Sequence, residues 1–115
     1  MDLEKIKIKL REFSQERDWG QYHTPKNLSM ALSVEVAELV EIFQWSNDGG
    51  LEEIKDLNKR DQIEKEIADI FNYLVKLADI LNMDLEKASL NKIEENSKKY
   101  PVDRVKGKSI KYTDL

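Results

Sequence analysis

Apolar side chains recur every three or four residues along much of this chain, and that spacing predicts amphipathic helices. The first predicted helix carries apolar positions from Leu3 to Phe13 and ends before Trp19. Thr24 is a suitable N-cap, and Pro25 suits the first turn of a second helix that we expect to run to about Gln44. No stretch shows the strict alternation that a strand requires, so the sequence predicts an all-α fold.

The second half of the chain continues the helical pattern. A short polar helix is allowed within residues 51–58, and a long core helix is expected from about Asp61 to Leu81. Asp84 is a suitable N-cap for a fourth helix, which should stop near Tyr100 because a proline follows. The sequence therefore predicts a four-helix bundle with a basic tail at about residues 101–115.

The predicted helix from Pro25 to Gln44 is apolar around nearly its whole circumference. A helix of this kind is covered on several sides. A chain this short has little other surface with which to cover it. We therefore expect a partner subunit to share the core with this helix.

Two pairs of acids spaced by three residues lie inside the apolar helical stretches: Glu35 with Glu38, and Glu66 with Asp69. Residues three apart lie on one side of a helix, so two such helices can direct four carboxylates to one point. An unpaired charge among packed side chains is strongly disfavoured, so a cation should be there. The pattern leaves two interpretations open. One is a Mg²⁺ site that also binds a phosphate compound, and the other is a buried salt-bridge network with Lys or Arg.

Composition limits the other classes of function. The chain has 115 residues, which fits a single domain, residues 1–115, and it has no cysteine, which suits a reducing cytoplasm. A net charge of -4 and a pI near 5.1 argue against long nucleic acid as a partner. No apolar run approaches the ~20 residues that cross a bilayer. We therefore expect a cytoplasmic protein with no membrane contact.

The presence of only one histidine excludes one kind of helical metal site. Four-helix di-iron proteins need a Glu-x-x-His motif on each of two helices. His23 is the only histidine, and it precedes Pro25 in a predicted loop, away from both acid pairs. This chain therefore cannot build a di-iron site of that kind.

Four blocks of sequence surround the acids: RDWGQYHTPKNL at 17–28, ALSVEVAELVEIFQW at 31–45, EIADI at 66–70, and KYTDL at 111–115. With these blocks, and with Tyr73, Lys92, Asn96 and Lys99 between them, the chain resembles the MazG-like, all-α nucleoside triphosphate pyrophosphohydrolases. It is most similar to their small dCTP pyrophosphatase branch. Residues 48–62 carry no landmark of that family.

The resemblance implies a fold, a cofactor and a reaction. The fold is a helical protomer that forms a homodimer or homotetramer. The metal is Mg²⁺, with Mn²⁺ as a substitute, and its ligands are Glu35, Glu38, Glu66 and Asp69. The reaction cleaves a nucleoside triphosphate, dCTP or a related pyrimidine nucleotide, between its α- and β-phosphates. The products are a monophosphate and pyrophosphate, in the service of nucleotide-pool sanitation. Water is the nucleophile, and Glu38 is the candidate general base.

The resemblance also implies ten substrate-binding residues. Those expected around base and sugar are Trp19, His23, Asn27, Trp45 and Tyr73. Those expected around the phosphates are Lys92, Asn96, Lys99, Lys111 and Tyr112. Lys99 stands where the branch often has arginine, so a point charge replaces a bidentate donor. The alternative function is a non-catalytic helical module that binds nucleotides or a protein, with the acids serving only as salt bridges.

Overall fold

The computed structural model describes residues 1–115, and it contains five α-helices and no strand. The helices are α1 (Leu3–Glu16), α2 (Pro25–Phe43), α3 (Leu57–Ile80), α4 (Leu85–Lys99) and α5 (Val102–Val105). Short 3-10 turns span Gly20–Tyr22, Glu53–Lys55 and Tyr112–Asp114. The prediction of an all-α fold is confirmed.

The chain divides into two units, Met1–Asn82 and Met83–Leu115, which we describe separately. The first holds α1, α2 and α3, and the second holds α4 and α5. The expectation of a single domain stays a prediction. None of the helices combines the length and the apolar character needed to cross a bilayer.

Short polar side chains begin the long helices, as the sequence predicts. The Thr24 hydroxyl accepts a hydrogen bond from the Asn27 amide, and Pro25 occupies the first turn of α2. The Asp84 carboxylate accepts from the Lys87 amide at the start of α4. Each cap satisfies a backbone donor that has no partner within its helix.

The start of α3 differs from the prediction. The helix begins at Leu57, several residues before Asp61, because Asp56 caps it: its carboxylate accepts from the amides of Asn58 and Lys59. The polar helix expected within residues 51–58 is reduced to the 3-10 turn Glu53–Lys55. Apolar periodicity cannot locate this start, because the first turns of α3 are polar and exposed.

The end of α1 is a Schellman motif that places Trp19. Asp18 adopts φ +53, the Asp18 amide donates to the Gln15 carbonyl, and the Trp19 amide donates to the Ser14 carbonyl. The chain turns back at this point, so the Trp19 ring meets Phe13 edge to face, with the ring centroids 5.7 Å apart. Local backbone chemistry therefore fixes an aromatic side chain beside the first helix.

The core of the first unit lies where α2 packs against α3. Its buried apolar residues are Leu28, Ile63, Val75 and Ala78. Helix α1 packs on α3 and is tied to it by a bidentate pair in which the Arg11 guanidinium donates to both oxygens of Asp79. Large apolar side chains of α2 and α3 are nevertheless exposed: Met30, Val34, Val36, Val40, Ile67, Leu74 and Ile80.

The second unit is built on α4. Glu95 accepts from the Lys92 ammonium at 3.2 Å and lies 3.6 Å from the Lys99 ammonium. Beyond α4, residues 101–115 are not a structureless tail, since they contain α5 and the 3-10 turn Tyr112–Asp114. The Tyr112 ring meets the Tyr100 ring edge to face, with a centroid distance of 6.1 Å, which joins the end of the chain to the end of α4.

Candidate active site

Three of the four predicted metal ligands come together between α2 and α3. One carboxylate oxygen from each of Glu35, Glu38 and Glu66 lies within 4.8 Å of the other two. We call these three residues the acidic cluster. Glu35 and Glu38 share a side of α2 because they are three residues apart, and the packing of α2 against α3 brings Glu66 to them.

The acidic cluster has no cation from the protein. None of the six ion pairs in the structure includes Glu35, Glu38 or Glu66. One oxygen of Glu35 and one of Glu66 are buried without any hydrogen-bond donor. The structure therefore does not contain the salt-bridge network that the acid spacing left open.

Two members of the acidic cluster, Glu35 and Glu66, have pKa values above those of ordinary carboxylates. Burial, together with the neighbouring carboxylates of Glu66 and Glu38, raises the pKa of Glu35 to about 7. Burial also raises the pKa of Glu66, and the charges of Glu38 and Asp69 add to the rise. Both pKa shifts arise chiefly because burial disfavours the charged form, and nearby carboxylates without a compensating positive charge add to them.

The donor set of the acidic cluster fits a divalent cation. Hard carboxylate oxygens converge from two helices, and two of them are buried and unpartnered. Asp69 lies outside the trio, but its charge acts on both Glu35 and Glu66. Its carboxylate is exposed, so it borders the acidic cluster on the side open to solvent.

A pocket of about 420 Å³ opens beside the acidic cluster. Glu35 and Asp69 form its acidic part. The remaining wall is mostly aromatic and apolar, and it comes from α1, from the turn after α1, and from α3: Leu10, Phe13, Trp19, His23 and Tyr73. We call this the aromatic pocket. Its lining therefore combines two carboxylates with rings that can stack on a planar ligand.

A second pocket, of about 680 Å³, lies against other members of the acidic cluster. Glu38 and Glu66 line it, together with Trp45 and with Glu53 from the 3-10 turn before α3. One oxygen of Glu53 is buried without a hydrogen-bond partner. The acidic cluster is therefore reached from two pockets.

The structure gathers three of the five residues predicted to surround base and sugar. Trp19, His23 and Tyr73 all line the aromatic pocket. Trp45 lines the second pocket instead and is 85% exposed. Asn27 supports the local backbone, since its side-chain amide donates to the Tyr22 carbonyl at 2.8 Å.

The predicted phosphate-binding residues belong to the second unit. Lys92 and Lys99 both lie near Glu95, whose pKa is lowered chiefly by its hydrogen bond from Lys92. The Lys99 ammonium also lies 5.0 Å from the centre of the Tyr112 ring, a cation–π distance. Asn96 is on the same helix, and Lys111 immediately precedes Tyr112. Their role in binding phosphate stays a prediction.

Sequence analysis missed five residues that line the aromatic pocket: Leu10, Phe13, Ser14, Asn72 and Lys76. The signal for Asn72 and Lys76 is their position on α3, three and seven residues after Asp69 and therefore on the same side of the helix. For the three residues of α1 no such signal exists, because only tertiary packing brings them to the pocket.

Comparison with known proteins places this arrangement among its relatives. The MazG-like family model matches residues 30–115. The chain is 42% identical over 115 residues to dCTP pyrophosphatase 1 of Homo sapiens, covering 98% of this chain and 67% of that protein. It is 41% identical over 114 residues to dCTP pyrophosphatase 1 of Rattus norvegicus, with the same coverage of both proteins.

A solved structure agrees with the fold. A pyrophosphatase from Archaeoglobus fulgidus superposes with a TM-score of 0.81 at 43% sequence identity. The match covers 88% of this chain and 94% of that one. The helical arrangement described above therefore occurs in a protein named as a pyrophosphatase.

Proposed function

Since the chain belongs to the MazG-like family, we propose that it is a nucleoside triphosphate pyrophosphohydrolase that acts on dCTP or a related pyrimidine nucleotide. The observation that carries this proposal is the convergence of three carboxylates without a protein cation beside the aromatic pocket. Sanitation of the nucleotide pool in the cytoplasm is the role that we predict for it.

We propose Mg²⁺ as the metal, with Mn²⁺ as a substitute, held by Glu35, Glu38 and Glu66, with Asp69 as the fourth ligand. A divalent ion bound there would polarise the phosphoryl oxygens and neutralise the charge that develops on the leaving pyrophosphate. The grouped ligand atoms are carboxylate oxygens with no histidine among them, and the chain has no cysteine, which favours these hard cations over zinc.

Glu38 is the residue that we propose as general base. It is the exposed member of the acidic cluster, whereas Glu35 and Glu66 are partly buried, so incoming water reaches it most easily. The water oxygen bonds to the α-phosphorus, and its proton moves to the Glu38 carboxylate. The bond from the α-phosphorus to the bridging oxygen breaks, and pyrophosphate leaves with both electrons of that bond.

The aromatic pocket is the proposed site of base and sugar. Trp19 can stack on the base, and such stacking contributes about 1–3 kcal/mol per base in single-strand binders. Burial, followed by the charge of Lys76, lowers the pKa of His23, which favours the neutral imidazole. A neutral imidazole offers one donor and one acceptor, so it can pair with base or sugar. Tyr73 lies on α3 four residues after Asp69, and we place deoxyribose against it.

We propose that Lys92, Asn96, Lys99, Lys111 and Tyr112 of the second unit contact the phosphates. Lys99 supports this role best, since it is held between Glu95 and the Tyr112 ring in a defined position. Asn27 and Trp45 remain candidates for contact with the nucleotide from α2 and from the second pocket.

Self-association as a homodimer or homotetramer is also proposed. Its support is the set of large apolar side chains exposed on α2, of which Met30, Val34 and Val40 are each more than half exposed. Sedimentation velocity at micromolar concentration should give a mass of at least two chains. A monomer at all concentrations would contradict this expectation.

A panel assay tests the proposed function. Each natural nucleoside triphosphate is incubated with the protein and Mg²⁺, and pyrophosphate and orthophosphate are measured separately. We expect pyrophosphate with dCMP from dCTP, and loss of this activity in Glu38→Gln. Glu64→Gln, which neutralises an exposed acid of α3 outside the acidic cluster, is the matched control and should keep full activity.

Two outcomes of the panel would contradict the proposal. Orthophosphate as the first product would mean cleavage at another bond. Nucleotide binding with no turnover of any triphosphate would instead identify the non-catalytic module.

A further inference from the structure

Lys76 lines the aromatic pocket, and no acceptor in the protein pairs with it. Its side chain is partly buried beside Trp19 and His23. Asp79 acts on its charge, but both Asp79 oxygens accept from Arg11, at 2.8 and 2.6 Å. No ion pair in the structure includes Lys76. A partly buried cation of this kind is expected to meet an acceptor that arrives with the ligand.

The position of Lys76 on α3 assigns it to the end of the aromatic pocket that is remote from the acids. Asp69, Tyr73 and Lys76 follow one another at spacings of four and three residues, so they share one side of the helix. At a rise of 1.5 Å per residue, Lys76 lies about 10.5 Å beyond Asp69 along the helix axis. Lys76 also lines a neighbouring pocket with Asp79 and Ile80, farther toward the end of α3. A nucleotide whose phosphates lie at the acids extends its base to this end.

The walls at that end suit a flat, partly polar group. Phe13 and Trp19 supply aromatic surface, with their rings 5.7 Å apart at the centroids. Two polar atoms there lack partners: the hydroxyl of Ser14, a residue only 5% exposed, and Nδ1 of His23. Buried polar groups in folded proteins are normally paired, so these two groups are consistent with a ligand that brings hydrogen-bonding atoms of its own.

We propose that Lys76 is a specificity-determining residue whose ammonium donates hydrogen bonds to the two adjacent acceptors, O2 and N3, of a cytosine base in the aromatic pocket. The inference rests on the proposed function, because it takes the acids as the phosphate end. An ammonium carries three donors and no acceptor. Cytosine presents two adjacent acceptors, O2 and N3, whereas uracil and thymine carry a hydrogen on N3. Lys76 therefore favours cytosine nucleotides over those of uracil and thymine.

The test compares two substrates in Lys76→Met, which keeps the apolar length of the side chain and removes the donors. With dCTP, kcat/KM should fall about 10- to 100-fold, mainly through KM, as expected for loss of a hydrogen bond from a charged donor. With the abasic triphosphate, which has the same sugar and phosphates but no base, kcat/KM should not change. Lys76→Arg keeps donors and should restore part of the preference for dCTP over dTTP.

The matched control is Lys65→Met on the same helix, since the Lys65 side chain is 72% exposed and paired with Asp61 at 2.9 Å. Lys65→Met should change kcat/KM neither for dCTP nor for the abasic triphosphate. An equal loss on dCTP and on the abasic triphosphate would overturn the proposal, because Lys76 would then act on the phosphates or on the fold. An unchanged preference among dCTP, dUTP and dTTP would also overturn it. Lys76→Leu, which also lacks donors, is tested in parallel, in case Lys76→Met unfolds.

Binding of dCMP, measured by calorimetry without metal, separates this proposal from the proposed function. Wild type should bind dCMP at least about tenfold more tightly than Lys76→Met does, with equal binding of deoxyribose 5-phosphate. If no triphosphate is hydrolysed but this difference appears, the proposed function fails and the role of Lys76 stands. If dCTP is hydrolysed and Lys76→Met binds dCMP as wild type does, only the role of Lys76 fails. If wild type itself does not bind dCMP, the role of Lys76 fails as well.

Discussion

Helix α3 carries two carboxylates in opposite electrostatic environments. Asp79, near its end, receives two hydrogen bonds from the Arg11 guanidinium, which lower the pKa of that carboxyl. Glu66, in its first half, makes no ion pair, and burial raises its pKa. The two residues belong to one chemical class and one helix, so the difference comes from what the neighbouring helix brings. Helix α1 brings a cation to Asp79, and α2 brings two further acids to Glu66.

This contrast separates a carboxylate that has a protein cation from a group of carboxylates that has none. A carboxylate that is paired with a protein cation needs no further partner and can stabilise the fold, as Asp79 does by joining α1 to α3. A group of carboxylates that the fold holds together without a cation raises the free energy of the metal-free protein. Proteins keep such arrangements where function requires them, and a divalent ion is the simplest partner for this one.

The largest expected effect is on catalysis. Glu66→Gln and Asp69→Asn should each lower kcat/KM for dCTP by at least about 100-fold, the lower bound that we adopt from the range typical of an acid–base group. Asp79→Asn removes a charge from the same helix and should leave kcat near the wild-type value. The measurement is pyrophosphate release with Mg²⁺, on variants whose circular dichroism shows native helix content. Equal losses of kcat/KM in Asp79→Asn and Glu66→Gln would contradict the prediction that the two acids differ in their effect on catalysis.

Much of the fold could be predicted from the sequence because its signals are local. Thr24, Pro25 and Asp84 act through hydrogen bonds and backbone angles within a few residues, and each begins a helix as expected. The start of α3 was the exception. Asp56 caps a turn whose side chains are exposed, so the apolar pattern begins only farther along the helix.

The sequence predicts those parts of the candidate site that depend on spacing along one helix. It does not predict the parts that depend on tertiary packing. Spacing alone places Glu35 with Glu38 on one side of a helix, and the structure adds Glu66. Spacing gives no information on Ser14, which reaches the aromatic pocket only because α1 packs against α3. The separation of Trp19 from Trp45 between two pockets likewise depends on tertiary contacts.

The second expected effect is on stability in the presence of Mg²⁺. A ligand that binds only the folded state adds about 2.7 kcal/mol to the free energy of unfolding at 100 times its Kd. We expect Mg²⁺ to raise the Tm of wild type and of Asp79→Asn, and to have little effect on Glu66→Gln. Differential scanning calorimetry with and without EDTA provides the measurement. A wild-type Tm that is indifferent to Mg²⁺ would exclude the acidic cluster as a metal site.

The third expected effect is a pH dependence with opposite signs at the two sites. The pKa of Glu35 rises from 4.5 to about 7 on folding, so between these values the folded protein binds more protons than the unfolded chain. Stability of the metal-free protein should therefore fall as the pH rises from 4.5 through 7, and Glu35→Gln should flatten this slope.

At the other site, folding lowers the pKa of Asp79 below its ordinary value of 3.8. The stability contributed by Asp79 is therefore present above that value and is lost as the pH falls through the lowered pKa. Urea unfolding of the metal-free protein from pH 3 to pH 8 measures both trends. A Glu35→Gln variant with the same slope as wild type between pH 4.5 and 7 would show that Glu35 does not carry the titration.

The smallest expected effect is the free energy of the ion pair itself. Arg11→Met keeps the packing of the apolar stem and removes the two hydrogen bonds to Asp79. Because the Arg11 side chain is 52% exposed, solvent screens the pair, and we expect only a small fall in the free energy of unfolding. Lys65→Met breaks an exposed pair with Asp61 that lies within α3. It should lower the free energy of unfolding by less, because that pair does not join two helices. Arg11→Met should also weaken the fall of stability at acid pH, since Asp79 would then titrate near its ordinary pKa. A large loss of stability with an unchanged acid slope would mean that Arg11 stabilises the fold through packing rather than through its charge.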